Sequence, residues 1–226
     1  MDKFLLMTDL EGISGVESFE DMQPGSKKNR GAKEILTDDV NCVIKSILDY
    51  GKKSNKKCEI HIIDGHGSGG LVREKIIKLP SIFYYPPKDH DMTKVIIERQ
   101  IDALLFIGQH AMEGTSKANL CHTFSRKMVN YYLIYGKKQG YPIKERIGEI
   151  GFSAAIASEL GVPTIFLSGD DKAVLEAKKT IPGIMTVTTK YSLELEKARF
   201  RKVENIRDDI SLIVKKAIKK KLLYEN

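Results

Sequence analysis

The apolar residues of the chain follow two alternating patterns. Short continuous apolar runs, typical of buried strands, alternate with segments in which apolar residues recur every three or four positions, typical of amphipathic helices. The runs predict strands over residues 3–8, 59–64, 103–108, 129–135 and 164–169. The helical spacing predicts helices over residues 147–160, 171–179 and 207–223, and a further one through Val40 and Ile47 that Gly51 closes. This alternation predicts an α/β fold of three layers, with helices on both faces of a mostly parallel or mixed central sheet.

Composition narrows the class of protein. Hydrophobic residues make up 42% of the 226 positions and charged residues 30%, which is ordinary for a globular protein. No apolar stretch approaches the roughly 20 residues that span a bilayer, and no signal peptide is visible. The cysteines Cys42, Cys58 and Cys121 are odd in number and form no CxxC pair, so we expect a protein of the reducing cytoplasm with no membrane partner.

The positive net charge does not by itself indicate a nucleic-acid partner. The formal net charge is +7, but the lysines are spread along the chain and are densest near the end of the C-terminal helix, where cations favour the helix dipole. Basic and aromatic residues do not alternate, and no nucleic-acid motif is present. We therefore predict a lysine-rich solvated surface and no nucleic-acid partner; the cluster consists of Lys215, Lys216, Lys219, Lys220 and Lys221.

Acidic and imidazole side chains follow three of the predicted strands. Asp9 and Glu11 come after the first, Asp64 and His66 after the second, and His110 after the third. In parallel sheets, ligands bind beyond the carboxyl ends of the strands. We therefore expect these side chains to converge at one edge of the sheet.

This convergence indicates a divalent metal ion. Two carboxylates as close as Asp9 and Glu11 repel each other unless a cation lies between them or one is protonated, although solvated acids in a loop are the simpler alternative. Histidines at two equivalent strand ends favour the metal, and imidazole with carboxylate suits zinc, or else manganese or iron. His61 and His90 do not follow a strand in this way, so we interpret both as ordinary residues.

Four further residues leave alternatives open. Glu149, in Gly-Glu-Ile-Gly at a predicted helix start, could bind metal or only complement the helix dipole. His122 could be an acid or base, a hydrogen-bond donor to an oxyanion, or structural. Cys121 could be a nucleophile, but the other residues account for a site without it. Asp64, two positions before His66, is a candidate to orient the His66 ring.

Six segments occur in an order that is characteristic of one family. They are Asp-Leu-Glu-Gly-Ile-Ser-Gly from residue 9, Asp-Gly-His from 64, Gly-Gln-His-Ala from 108, His122, Gly-Glu-Ile-Gly from 148 and Ser-Gly-Asp-Asp from 168. From about residue 3 to about residue 185, the chain resembles the zinc-dependent D-aminopeptidases associated with dipeptide-transport operons.

The resemblance implies a two-zinc site and an activity. The zinc ligands would be Asp9, Glu11, His66, His110 and Glu149, with Asp9 bridging the two ions and His122 as the catalytic histidine. The implied reaction releases an N-terminal D-amino acid, such as D-alanine, from short peptides. The implied assembly is a ring-like homo-oligomer that encloses its active sites.

The chain departs from the family pattern at two places. Met7 stands where the family usually has a serine, and the sequence stops at Asn226 where members usually continue past the last helix. We predict a metal-binding α/β catalytic domain over residues 1–190 and a helical C-terminal segment over 191–226, shortened relative to the family. Metal binding is expected to survive both departures.

Two other classes of function fit the same residues. A metal-dependent phosphoesterase or amidase would also use paired metal ions. A catalytically silent peptide-binding or assembly protein would keep the fold but lack a ligand or His122, and neither is missing here. The prediction is therefore two-metal hydrolysis of a short peptide.

Overall fold

The computed structural model describes residues 1–87, 91–125, 128–138 and 141–224, so His90 lies outside the described part of the chain. Ten strands and five α-helices occur within those ranges. The strands are β1 (Asp2–Thr8), β2 (Cys58–Asp64), β3 (Ile82–Tyr85), β4 (Ala103–Gln109), β5 (Tyr132–Lys138), β6 (Tyr141–Ile147), β7 (Thr164–Gly169), β8 (Met185–Thr188), β9 (Lys190–Glu194) and β10 (Lys197–Phe200). The helices are α1 (Lys27–Lys53), α2 (Met92–Arg99), α3 (Glu149–Glu159), α4 (Asp171–Thr180) and α5 (Val203–Tyr224).

The central sheet has six strands in the order β3-β2-β1-β4-β7-β8. Every pair of neighbours in it is parallel. Helices α1 and α5 contribute apolar residues to a core on one face, and α2, α3 and α4 contribute to a core on the other face. The predicted three-layer α/β fold is confirmed, and the central sheet is wholly parallel.

The apolar run of β1 supplies both cores because successive side chains of a strand point to opposite faces. Phe4 and Leu6 belong to the core under α1 and α5, whereas Leu5 belongs to the core under the other helices. Strand β1 lies between β2 and β4 in the middle of the sheet. The loop after β1 therefore begins at the centre of the carboxyl edge, between the loops that follow β2 and β4.

Two glycines let the loops after β1 and β4 approach each other closely. Gly12 donates its backbone N–H to Gly108 O over 2.8 Å, and a Cβ atom at Gly12 would collide with the backbone of Gln109. Gly108 has a positive φ of 80°, and a Cβ atom there would collide with the carbonyl oxygen of Asp9. Any larger residue at either position would push apart the loops that carry Asp9 and His110.

Helix α1 and strand β5 differ from their predicted bounds. Helix α1 continues through Gly51 to Lys53, so the prediction that Gly51 closes the helix is wrong. Gly51 is needed there for packing, because a Cβ atom would lie 2.7 Å from Cys58 Sγ. Strand β5 begins at Tyr132 and pairs with β6 in a separate antiparallel two-stranded sheet. Local apolar pattern does not reveal which sheet a strand joins.

The C-terminal part of the chain contains strands as well as a helix. Residues 190–200 form the antiparallel β9–β10 hairpin before α5 begins, whereas the sequence predicts a helical segment from residue 191. Helix α5 packs on α1, and Ile206, Ile210 and Val214 belong to the same core as the sheet. The division into residues 1–190 and 191–226 remains a prediction. Within the described residues, no helix is long and apolar enough to cross a membrane.

Some lysines of the cluster in α5 contact other parts of the chain, and others are exposed to solvent. Lys215 Nζ lies 3.1 Å from an oxygen of Asp49, and Lys220 Nζ donates to Gly183 O over 2.9 Å. Lys216 and Lys219 are exposed. These contacts attach α5 to neighbouring parts of the same chain.

Candidate metal centre

The loops at the carboxyl edge of the sheet bring the predicted site residues together. Asp9 and Glu11 follow β1, His66 follows β2, and His110 follows β4. Glu149 is the first residue of α3, and His122 lies in the loop between β4 and β5. A cavity of about 350 Å³ opens among them; its lining residues are Asp9, Glu11, Gly65, His66, Gly67, Ser68, His122, Phe124 and Glu149.

One group of three side chains that could hold a metal ion consists of Asp9, Glu11 and His66. His66 Nδ1 lies 3.1 Å from Glu11 Oε2 and 3.4 Å from Asp9 Oδ1. One donor atom from each of the three side chains lies within 4.8 Å of the others. That spacing is compatible with a single metal ion between them.

A second group consists of His110, His122 and Glu149. Glu149 Oε1 lies 3.5 Å from His110 Nε2 and 3.8 Å from His122 Nε2. The two imidazole rings stack, with centroids 4.0 Å apart. His122 Nε2 also lies 4.0 Å from Glu11 Oε1, so His122 lies next to both groups.

Asp9 connects the two groups through its two carboxylate oxygens. Oδ1 lies 3.4 Å from His66 Nδ1, whereas Oδ2 lies 3.3 Å from His110 Nε2. The side chain is 10% exposed, and its other short contact, Leu10 N to Oδ1 at 2.9 Å, holds the carboxylate in place. A single carboxylate thus presents one oxygen to each group.

The carboxylates dominate the electrostatics of the site. Burial opposes protonation of His66, but hydrogen bonds to Asp9 and Glu11 outweigh it and raise the pKa of His66 to about 10. The nearby carboxylates of Asp9 and Glu149 raise the pKa of His110 well above its usual value, against the effect of burial. Burial acts to raise the pKa values of Asp9 and Glu149, but the histidines outweigh it and lower both. The site therefore stabilises positive charge placed among its carboxylates.

Zinc fits this set of donors. His110 Nε2 is buried and has no hydrogen-bond partner of acceptable geometry among the described residues, although two carboxylate oxygens lie near it. Buried polar atoms are rarely left in that condition unless an ion or another group binds them. Imidazole nitrogens and carboxylate oxygens are ligands that zinc accepts. The site thus offers an unpaired nitrogen, a carboxylate shared by the two groups and local negative charge.

Backbone carbonyls fix the rings of two histidines. His110 Nδ1 lies 2.9 Å from Ala111 O, and His122 Nδ1 lies 2.9 Å from Leu120 O. A hydrogen on Nδ1 satisfies each contact and leaves Nε2 unprotonated in the neutral ring. In both residues Nε2 is the atom that faces the carboxylates, so the rings are oriented for ligation or proton transfer.

Asp64 contacts the loop of His66 instead of its ring. Its carboxylate accepts hydrogen bonds from Gly70 N at 2.8 Å, Leu71 N at 3.2 Å and Tyr84 Oη at 3.1 Å. No hydrogen bond joins Asp64 to the His66 ring in the described part of the chain, so the prediction that Asp64 orients the ring directly is wrong. As the last residue of β2, Asp64 points to the turn that follows.

Neither His61 nor Cys121 belongs to the two groups of candidate ligands. His61 is fully buried between Tyr85 Oη, 2.9 Å from Nδ1, and Glu59, 2.7 Å from Nε2. Cys121 is buried next to His122, and burial raises the pKa of its thiol. A thiol whose pKa is raised is a poor nucleophile at neutral pH.

The sequence did not indicate that Thr189 and Lys190 contact the backbone of the loop that carries Glu11. Lys190, the first residue of β9, is fully buried and donates a hydrogen bond to Glu11 O over 2.6 Å. Burial lowers the pKa of Lys190 to about 8, although Asp170 and Glu11 act in the opposite direction. Thr189 Oγ1 donates to Gly12 O. No local pattern marks a single lysine in a lysine-rich chain as buried.

Comparisons with known proteins bear on the family and the fold of the chain. Residues 3–225 match the sequence profile of a family described as D-aminopeptidase. A D-aminopeptidase of Bacillus subtilis strain 168 is 24% identical over 192 residues, a match that covers 84% of this chain and 64% of the relative. The chain thus spans less than two thirds of that relative's length.

A solved structure shares the fold. It is a Zn-dependent D-aminopeptidase from Bacillus subtilis, described as a self-compartmentalizing protease, and it superposes with a TM-score of 0.81 at 22% sequence identity. The superposition covers 97% of this chain and 74% of that chain. At this level of identity the likeness establishes the fold.

Proposed function

The chain belongs to the D-aminopeptidase family, and from that premise we propose that it is a two-zinc aminopeptidase that releases an N-terminal D-amino acid of the D-alanine type from short peptides. Asp9 carries the proposal, because its two oxygens face one histidine from each group of candidate ligands. That position is the one expected of a carboxylate that bridges two metal ions.

The charges of the site favour two ions over one. Asp9, Glu11 and Glu149 bring three carboxylates into a largely buried site. Buried carboxylates without compensating positive charge are costly. With the ligating histidines neutral, two zinc ions carry four positive charges and would leave room for one bound anion, whereas one zinc ion would leave a net negative charge. We assign Asp9, Glu11 and His66 to one ion and Asp9, His110 and Glu149 to the other.

His122 is the proposed proton-transfer residue. Bound zinc lowers the pKa of coordinated water to about 7 and polarises a carbonyl group. His122 Nε2 lies beside Glu11 and Glu149, within 4.0 Å of an oxygen of each, and the side chain lines the cavity. Because Leu120 O accepts from Nδ1, Nε2 is free to take up a proton and to return it to the leaving amine.

The cavity suits one end of a short peptide. Its volume of about 350 Å³ is at the small end of the range for ligand pockets. Gly65, Gly67 and Ser68 line one part of it and leave space for a peptide backbone, and Phe124 supplies apolar surface. Of the described residues that line the cavity, none is Lys or Arg, so the site itself gives no support to a phosphoester substrate.

The proposed function makes a direct biochemical prediction. Zinc-loaded protein should hold close to two zinc ions per chain and should cleave D-Ala-D-Ala at least ten times faster than L-Ala-L-Ala. Elemental analysis and an amine-release assay measure the two quantities. Bis-p-nitrophenyl phosphate serves as the comparison substrate: faster cleavage of this phosphodiester than of either peptide would contradict the proposal, as would full activity in protein freed of metal by a chelator.

We also propose that the chain assembles into a ring-like homo-oligomer. The β9–β10 hairpin exposes apolar side chains, with Leu193 44% exposed, Leu195 47% and Phe200 43%. Exposed apolar side chains on one hairpin can mark a protein interface. Light scattering on purified protein at micromolar concentration should give a multiple of the chain mass of 25.4 kDa, little changed by moderate salt. A mass near that of one chain would contradict assembly.

A further inference from the structure

Lys190 is a buried lysine whose charge is held by oxygen atoms of backbone and amide groups. It is fully buried, and among the described residues its amine donates hydrogen bonds to two backbone carbonyls and one side-chain amide oxygen. A buried ammonium group is costly unless every hydrogen finds an acceptor. A charged lysine at such a position is therefore stable only where the surrounding structure provides those acceptors.

The acceptors are provided in full. Lys190 Nζ lies 2.6 Å from Glu11 O, 2.5 Å from Val16 O and 2.6 Å from Asn119 Oδ1. An ammonium group has three N–H donors, so each donor has one oxygen. Two of the acceptors belong to the loop after β1, which carries Asp9 and Glu11, and the third belongs to the loop before His122.

Asn119 extends this connection towards His122. Its Nδ2 donates to Glu17 O at 2.8 Å and to Leu195 O at 3.0 Å. The next residue, Leu120, donates its N–H to Leu195 O at 2.7 Å and accepts from His122 Nδ1 at 2.9 Å through its own carbonyl. The fold thus ties the backbone of Glu11 to the carbonyl that orients His122, with Lys190 at the junction.

We propose that Lys190 is a positioning residue that sets the relative placement of Glu11 and His122. The inference rests on the proposed two-zinc function. Glu11 Oε1 and His122 Nε2 lie 4.0 Å apart in the site, although the residues are far apart in the chain and belong to different loops. Hydrogen bonds from one rigidly held ammonium to both loops limit how far these two atoms can move relative to each other.

The test replaces Lys190 with methionine, which keeps the length of the side chain and removes its charge and donors. We expect folded Lys190→Met to bind zinc about 10- to 100-fold more weakly than wild type, as is typical when a residue that supports metal ligands is lost. We also expect an altered absorption spectrum of the cobalt-substituted protein and a lower kcat with a smaller change in KM. Lys94→Met, at a lysine whose side chain is 68% exposed, is the matched control and should behave as wild type.

A second variant tests the contact of Lys190 with the loop before His122 separately from its contacts with the loop that carries Glu11. Asn119→Ala leaves the bonds from Lys190 to Glu11 and Val16 in place, so it should lower kcat at least ten-fold while zinc affinity stays within a factor of about three of wild type. Circular dichroism and thermal unfolding establish which variants are folded. Folded Lys190→Met with wild-type zinc affinity, cobalt spectrum and kcat would overturn the inference. If that variant does not fold, unchanged kcat in Asn119→Ala would overturn it.

The wild-type protein distinguishes this inference from the proposed function. Wild type that neither binds zinc nor cleaves a D-peptide overturns the proposed function and this inference with it. Wild type that does both, with a Lys190→Met variant equal to it, overturns only the role of Lys190. If wild type binds zinc but cleaves no D-peptide, the role of Lys190 is decided by the zinc affinity and the cobalt spectrum of the variants.

Discussion

Asp9→Asn is expected to release both zinc ions and to lower peptide hydrolysis by more than about 100-fold, a larger loss than is usual for residues that only support metal ligands. Asparagine has almost the shape of aspartate but offers one carbonyl oxygen and a donor amide, so it cannot present an anionic oxygen to both His66 and His110. The substitution therefore removes the bridge with little change in packing. Elemental analysis after zinc loading and an assay on D-Ala-D-Ala measure the effect.

The matched control is Asp49→Asn on the surface of α1. Asp49 pairs with Lys215 and its side chain is 56% exposed, so zinc content and activity should equal those of wild type. An Asp9→Asn protein that keeps two zinc ions per chain would show that Asp9 is not the bridging ligand. One that loses a single ion would assign Asp9 to one group of ligands only.

His122→Ala is expected to lower kcat by about 10²- to 10⁴-fold while zinc content stays near two ions per chain, because general acid–base catalysis contributes a factor of that size. The ring of His122 faces the cavity, and its Nε2 lies farther from Glu149 than His110 Nε2 does, at 3.8 Å against 3.5 Å. Zinc analysis together with steady-state kinetics on the same preparation separates catalysis from metal binding.

His110→Ala provides the comparison, because the two rings stack on each other and share a neighbour in Glu149. The variant at position 110 should lose zinc and activity together. Equal loss of zinc in His122→Ala would place His122 among the ligands, an arrangement that the grouping of His110, His122 and Glu149 also permits. Unchanged kcat in His122→Ala would make the residue structural.

Some residues of the candidate site could be predicted from the sequence, whereas others could not. Asp9, His66 and His110 could be located because each follows a buried apolar run, and parallel strands deliver their carboxyl ends to one edge. Glu149 and His122 have no such marker: one opens a helix and the other lies in an irregular loop. Their proximity to the strand-end residues depends on how α3 and the 110–125 loop fold back over the sheet, and only the family resemblance suggested it.

Asp64 shows how local position can mislead. Its separation from His66 by two residues suggested a contact with the imidazole ring, yet its oxygens bind Gly70, Leu71 and Tyr84. The turn after β2 reverses direction within a few residues, so backbone N–H groups reach the carboxylate first. The C-terminal hairpin was not predicted because β9 and β10 are short, although Tyr191 and Leu193 alternate with polar residues in β9 and are exposed.

By itself the sequence determined the layered α/β architecture and the strand ends that carry the candidate metal ligands. Both are encoded in the spacing of apolar residues, two for a strand and 3.6 for a helix, which a short window within a regular element displays. The tertiary structure alone decided that Asp9 lies between His66 and His110, and that Lys190 holds Glu11 and Asn119. Those contacts join residues up to 179 positions apart. They arise from the order of strands in the sheet and from the packing of loops above it, which no local pattern of residues specifies.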